Sequence, residues 1–499
     1  MQTKTLLTVY DNVRKVMKES GHIVSANNAL GWDEQACMPA AGSAARAEVV
    51  GYLAGLAHEK TTAAAYGEQL VTLAQDNALD ATQSAIVRKA LRRYERNSRL
   101  PASFVEQSAT LYANAHHTWA DARARSNWDA FAPILERIVE TKREEAHLIG
   151  FTESPYDALL DEYELGLTAR TAADMLDTIV PSLSDLLRRI QASSTHPISW
   201  QQTTKIDLPR QKEFNTRIAT KLGFDFHAGR LDESAHPFTD RFHPGDVRIT
   251  TRYREDDVLY ALMSTVHEVG HGLYEQGIPA EFYGTPVGDA PSLGIHESQS
   301  RLWENMVARS RPFAQFLAKE YHTLGLDPDH EQLYAALNAV EASCIRTEAD
   351  EVTYNLHICL RFAIERELIE GRLKTKDVPE AWNAKMREYF GVTPPNHADG
   401  VLQDVHWSGG AFGYFPTYAL GNVYAAQLYA VASRDIPGLE AGFREGNFAP
   451  LLTWLRDRVH RHGGFKEAAE IVRDATGAEP NPKYFLDYIE RKYTALYKL

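Results

Sequence analysis

The chain has 499 residues, 44% of them apolar and 24% charged, and a formal net charge of −14. This is an ordinary soluble, globular composition with enough length for a substantial core, and its acidity opposes broad attraction to nucleic acid or anionic lipid. Three cysteines, Cys37, Cys344 and Cys359, lack CxxC spacing, which argues against a disulfide framework or a cysteine-rich zinc site and fits a reducing cytosol.

The N-terminal stretch "MQTKTLLTVYDNVRKVMKESGH" reads as an amphipathic helix without the apolar run of a signal peptide, so a cytoplasmic location is expected. Next comes the basic segment "RKALRRYERNSR", Arg88 to Arg99. Its apolar neighbours Ile86, Val87, Ala90, Leu91 and Tyr94 recur at helical spacing, which predicts a solvated basic helix face rather than a nucleic-acid patch. Helical periodicity continues through most of the chain, broken by "RLPASF", "SRPF" and "GVTPPNHADG". Leu222 to Asp256 differs: short segments, glycines and the alternation in "DVRITTRY" predict a small antiparallel β-sheet. The expected architecture is mainly α: one large helical domain over residues 1–499, divided into two lobes by a deep cleft.

"REDDVLYALMSTVHEVGHGLYEQGIP" opens on acids that suit a helix N-terminus and closes on Gly277 and Pro279, so it is predicted to be a helix. Leu259, Leu262, Val266 and Leu273 form its core strip. His267 and His271, four apart, fall on a neighbouring side, where two imidazoles can share one tetrahedral zinc ion with Glu268 beside it as a base. Two histidines leave the metal incompletely held. Glu275, Asp289, His296 and Glu297 are the candidates for a third ligand; Glu275 lies rotated away and suits a surface role, and spacing alone does not choose between Glu297 and His296.

The last informative stretch is Val405 to Ser433, which contains no Asp, Glu, Lys or Arg. Gly409, Gly410, Gly413, Pro416 and Gly421 interrupt it, so it reads as a glycine-rich turn followed by a buried helix, not a membrane span. Its tyrosines and histidine either line a cleft or pack in the core.

Taken in order, "HPF" (His236 to Phe238), "DVRIT" (Asp246 to Thr250), "HEVGH", "HESQ", "IRTEAD" (Ile345 to Asp350) and "GVLQDVHW" (Gly400 to Trp407) resemble the signature set of the carboxypeptidase Taq family. "WDEQACMPAAGSAAR", Trp32 to Arg46, is also similar to that family's N-terminal region. The resemblance implies a zinc metallocarboxypeptidase that releases single C-terminal amino acids from peptides, with broad specificity. It implies a two-lobed helical fold related to angiotensin-converting enzyme and neurolysin, usually homodimeric, with one Zn2+ per chain that Co2+ can replace. Carried over, it makes His267, His271 and Glu297 the metal ligands and Glu268 the general base. Arg346 becomes the anchor of the terminal carboxylate, while His406 and Tyr418 stabilise the oxyanion and Tyr414 positions substrate; the two tyrosine roles are interchangeable on sequence alone. His236, with Arg248 and its neighbour Asp246, either braces the sheet or lines the peptide groove. Arg346 can also be read as the ion-pair partner of Glu348 or Asp350. In one departure, Arg301 stands four residues after Glu297, where related zinc peptidases place an acid, which leaves the partner of the histidines unidentified.

Overall fold

The computed structural model describes residues 2–499, with side chains from Leu7 onward. Among the described residues the buried apolar side chains form two clusters. The smaller joins Tyr10, Val13 and Met17 of the first helix, Gln2–Ala36, to Leu70 of helix Ala64–Ala74 and to Ile86 and Val87 of helix Ala81–Ser98. These helices make an N-terminal lobe, and Val287 of the main body seals its inner side.

Helix Ala81–Ser98 starts on a capping box: Gln83 N donates to Asp80 Oδ1 at 2.8 Å, and Asp80 N donates to Gln83 Oε1 at 3.1 Å. Its apolar side is buried as its spacing predicts, but its basic side is not simply solvated. Arg93 pairs with Asp289 at 2.9 Å, Arg96 with Glu162 at 3.1 Å, and Arg92 with Asp161. The acids come from distant segments, so the cations fasten one lobe to the other. Exposed pairs of this kind contribute about 0–1 kcal/mol each and serve mainly to fix orientation.

β1 (Gly229–Glu233), β2 (Thr239–His243) and β3 (Asp246–Thr251) form a sheet in the order β1-β3-β2. The expected antiparallel sheet is corrected in one pairing: β2 and β3 form an antiparallel hairpin, whereas β1 runs parallel to β3 with Leu231 opposite Ile249. The cause is the connection from β1 to β2, which crosses the end of β3 instead of turning beside it. Thr250 Oγ1 holds that crossing, 2.7 Å from Ser234 Oγ and 2.9 Å from Phe238 N.

β3 packs on helix Val258–Glu275, where Thr251 Oγ1 donates to Ala261 O at 3.0 Å. The charge-free stretch folds as a 3-10 turn, His406–Gly409, followed by helix Pro416–Asp435, most of whose side chains are buried. A charge there would be desolvated without a partner, which accounts for the composition. Among the described residues no helix is long and apolar enough to cross a membrane.

Candidate active site

Helix Val258–Glu275 begins at Asp257, whose carboxylate accepts from Tyr260 N at 3.0 Å. His267 and His271 lie one turn apart on it, with ring centroids 5.0 Å from each other. The third member comes from helix Leu293–Arg301, capped by Ser292. Glu297 Oε2 lies 3.3 Å from His271 Nε2 and 3.8 Å from His267 Nε2. Bonds of about 2.0–2.1 Å to a tetrahedral zinc set ligand atoms roughly 3.4 Å apart. The two imidazole nitrogens and the carboxylate oxygen all fall within 4.8 Å of one another, so the set fits a divalent metal and leaves room for a further ligand.

Two glycines permit this approach. A Cβ on Gly270, inside HEVGH, would lie 2.6 Å from Ser300 Cα, and one on Gly421 would lie 2.5 Å from Glu297 Cγ. The glutamate helix is therefore clamped between helices Val258–Glu275 and Pro416–Asp435, both bare of side chain at the contact.

Of the other candidates, His296 stands behind His271, with 2.6 Å between their Nδ1 atoms, and is outside the ligand set. Glu275 is not a surface group: it is buried, 2.9 Å from His296 Nε2. Asp289 bridges Arg241 at 3.0 Å and Arg93 at 2.9 Å.

The acid that serves His267 sits three residues past Arg301. Beyond helix Leu293–Arg301 the backbone widens into a π-helix, Leu302–Ala308, and Glu304 on it places Oε2 2.8 Å from His267 Nδ1. Arg301 and Arg309 lie 3.2 and 3.0 Å from the same carboxylate and hold its pKa low despite burial. Arg301 also donates to Glu297 Oε1 at 2.6 Å, which fixes that carboxylate with its second oxygen toward the histidines. The departure at position 301 is thus a cation that orients Glu297.

Glu268 is buried, and Thr239 Oγ1 of β2 lies 2.7 Å from its Oε2. Burial raises its carboxyl pKa against the lowering effects of His267 and Thr239. A buried carboxylate with a raised pKa is suited to accept and return a proton.

Arg346 takes neither of its expected acidic partners. Asp350 caps helix Glu351–Ile369, accepting from Val352 N at 2.9 Å, while Arg346 Nε donates to Asp404 Oδ1 at 3.0 Å. Asp404 also accepts from the fully buried Arg361 at 2.6 Å, so one carboxylate holds two guanidinium groups. The Arg346 guanidinium lies 5.3 Å from the Tyr418 ring, and His406 packs 5.3 Å from Tyr414 and 6.4 Å from Tyr418. Burial lowers the His406 pKa to about 4; Asp404 opposes the shift, and the two arginines reinforce it. Tyr354 links this group to His267, His271 and Glu297 through Arg301, which lies 4.0 Å over its ring, while Arg346 Nη1 is 3.5 Å from its hydroxyl.

The carried-over residues His267, Glu268, His271, Glu297, Arg346, His406, Tyr414 and Tyr418 thus assemble around one locus. His236 and Arg248 lie outside this contact network. His236 is exposed on the connection that leads to Thr239. Arg248 pairs with Asp246 at 2.9 Å and stacks 4.8 Å over Trp32 of the first helix.

Residues 12–493 match the carboxypeptidase Taq (M32) metallopeptidase family. The chain belongs to this family. As an M32 carboxypeptidase it is a metallocarboxypeptidase, a peptide hydrolase. It is 42% identical to thermostable carboxypeptidase 1 of Thermus thermophilus, over 98% of this chain and 99% of that one. It is 37% identical to carboxypeptidase 1 of Bacillus subtilis, over 97% and 98%. An M32 carboxypeptidase structure from Deinococcus radiodurans superposes with a TM-score of 0.95 at 37% identity, covering 99% of this chain and all of that one.

Proposed function

We propose that this M32 carboxypeptidase binds one zinc ion through His267, His271 and Glu297, replaceable by cobalt, and releases single C-terminal amino acids from peptides with broad specificity. What carries this reading is Arg346, whose Nε edge is taken by Asp404 in a cluster shared with His406 and Tyr418. The terminal amino groups of such a guanidinium suit a peptide carboxylate through two parallel hydrogen bonds, which offset the cost of desolvating it.

A divalent metal held by His267, His271 and Glu297 would supply Lewis acidity to the scissile carbonyl and would make the attacking water more acidic. Glu268 accepts a proton from that water and passes one to the leaving nitrogen. His406, neutral because burial depresses its pKa to about 4, and Tyr418 donate to the developing oxyanion, while Tyr414 positions the substrate. His236 meets the peptide on the β1–β2 connection, and Arg248 supports that wall of the groove from its stack on Trp32.

Residues 1–499 act as one catalytic domain, in the cytoplasm and as a homodimer. The dimer is supported by exposed apolar side chains on helix Ser43–Thr62, where Tyr52 is 70% and Val49 47% accessible. Mass analysis of the products from one peptide, as free acid and as amide, together with metal analysis, tests the reading. Stepwise loss of single residues from the free acid alone is expected; internal cuts in both forms would overturn it.

A further inference from the structure

The two histidines of HEVGH are supported unequally. His267 Nδ1 meets a carboxylate directly, Glu304 at 2.8 Å. His271 Nδ1 meets another imidazole instead, His296 Nδ1 at 2.6 Å, and only beyond it comes a carboxylate, Glu275 Oε1, 2.9 Å from His296 Nε2. Arg241 Nη1 lies 3.1 Å from Glu275 Oε2 and donates to Gly288 O at 2.7 Å, while its Nη2 donates to Asp289 at 3.0 Å.

We propose that His296 is a positioning residue that fixes the tautomer of His271, with Glu275 and Arg241 holding His296 in place. The inference rests on His271 being a metal ligand.

Two nitrogens 2.6 Å apart must be one donor and one acceptor. Glu275, ion-paired to Arg241, only accepts, so the proton of a neutral His296 sits on Nε2 and its Nδ1 carries a lone pair. That lone pair accepts from Nδ1–H of His271. The His271 proton is thereby placed on the nitrogen away from Glu297, and its Nε2 lone pair faces the carboxylate oxygen 3.3 Å away, where the metal would be shared. Without Glu275, a neutral His296 can take the other tautomer and donate from Nδ1. His271 would then carry its proton on Nε2 and lose its lone pair toward the site. The chain of contacts is mostly enclosed: His296 and Arg241 are partly buried and Glu275 is buried, so water competes little for these bonds.

The test is the zinc affinity of the full-length protein, measured by chelator competition, for His296→Phe, His296→Asn and Glu275→Gln. Phenylalanine keeps the ring and removes the acceptor, and should loosen zinc about 10- to 100-fold, the range for lost partners of metal ligands. Asparagine restores an acceptor oxygen near the position of Nδ1 and should recover most of that loss. Glu275→Gln, whose amide can turn an N–H toward His296 Nε2 and so admit the other tautomer, should loosen zinc about tenfold, the low end of that range, and it carries the test if His296→Phe does not fold. Equal loosening by Phe and Asn would reduce His296 to packing and overturn the proposal. So would unchanged affinity in Glu275→Gln and in whichever His296 variants fold. Full zinc retention in His271→Ala would instead overturn the ligand assignment itself.

Discussion

Asp404 accepts from Arg346 Nε at 3.0 Å through one oxygen and from Arg361 Nε at 2.6 Å through the other. One partly buried anion thus orders two cations, and the surplus positive charge stays beside His406 and Tyr418. Arg346→Ala should raise KM and lower kcat/KM for free-acid peptides by about 10- to 100-fold, as the loss of charge-assisted bonds worth about 1.5–3 kcal/mol implies. Lysine should recover only part, since it lacks the planar two-donor edge. The ratio of kcat/KM for one peptide as acid and as amide checks this; a ratio near one in the unaltered protein would count against a carboxylate anchor.

Glu268→Gln removes the base and leaves the three ligand side chains in place. It should keep the metal and lose about 10²- to 10⁴-fold in kcat. Metal analysis alongside turnover separates this from a ligand defect, and near-normal turnover would dismiss the role.

Chelation should abolish activity, and about one equivalent of zinc should restore it, because one three-ligand set is present among the described residues. His271→Ala and Glu297→Ala should lose metal outright. Glu304→Ala should bind it about 10- to 100-fold more weakly by freeing His267 Nδ1. Equilibrium dialysis against zinc buffers measures all three.

Tyr418→Phe should lower kcat with little change in KM, because its hydrogen bond forms chiefly in the transition state. The neighbouring Tyr414, 5.2 Å from it ring to ring, should act mainly on KM. The opposite pattern would exchange the two roles.

The pH profile separates Glu268 from His406. Burial raises the Glu268 pKa and lowers that of His406 to about 4. As pH falls from neutrality, Glu268 therefore takes its proton first and loses its basicity, while His406 stays neutral. The acid limb of kcat/KM belongs to Glu268 and should keep its position in His406→Gln even as the plateau drops. A limb that shifts in that variant would assign it to His406.

The legibility of the site in the sequence depends on how local each signal is. His267 and His271 are readable because four-residue spacing on one helix dictates their proximity. The burial of the helix Pro416–Asp435 within the stretch Val405 to Ser433 is readable because a charge-free segment has little other stable place. Asp404 as the partner of Arg346 was not readable: 58 residues separate them, and nearer acids offered equally good spacing. Helix rotation alone puts Glu275 on the surface because it ignores Arg241, which arrives from β2 to accompany it inside. The parallel pairing of β1 was hidden because alternation marks strands but not their neighbours.

The π-helix at Leu302–Ala308 has a consequence for chain length. A π-turn holds one residue more than an α-turn, so the segment behaves as an α-helix carrying an insertion. Deleting Trp303 would let the backbone close into regular i→i−4 bonds, but it removes one of the largest fully buried side chains of the core. Each residue removed also rotates the remainder of the helix by about 100°. Glu304 would swing away from His267, and Arg309 would leave with it. A chain one residue shorter here should be less stable, because Met306 and Val307 leave their core positions, and should also bind zinc poorly, an outcome that thermal unfolding with and without metal would reveal.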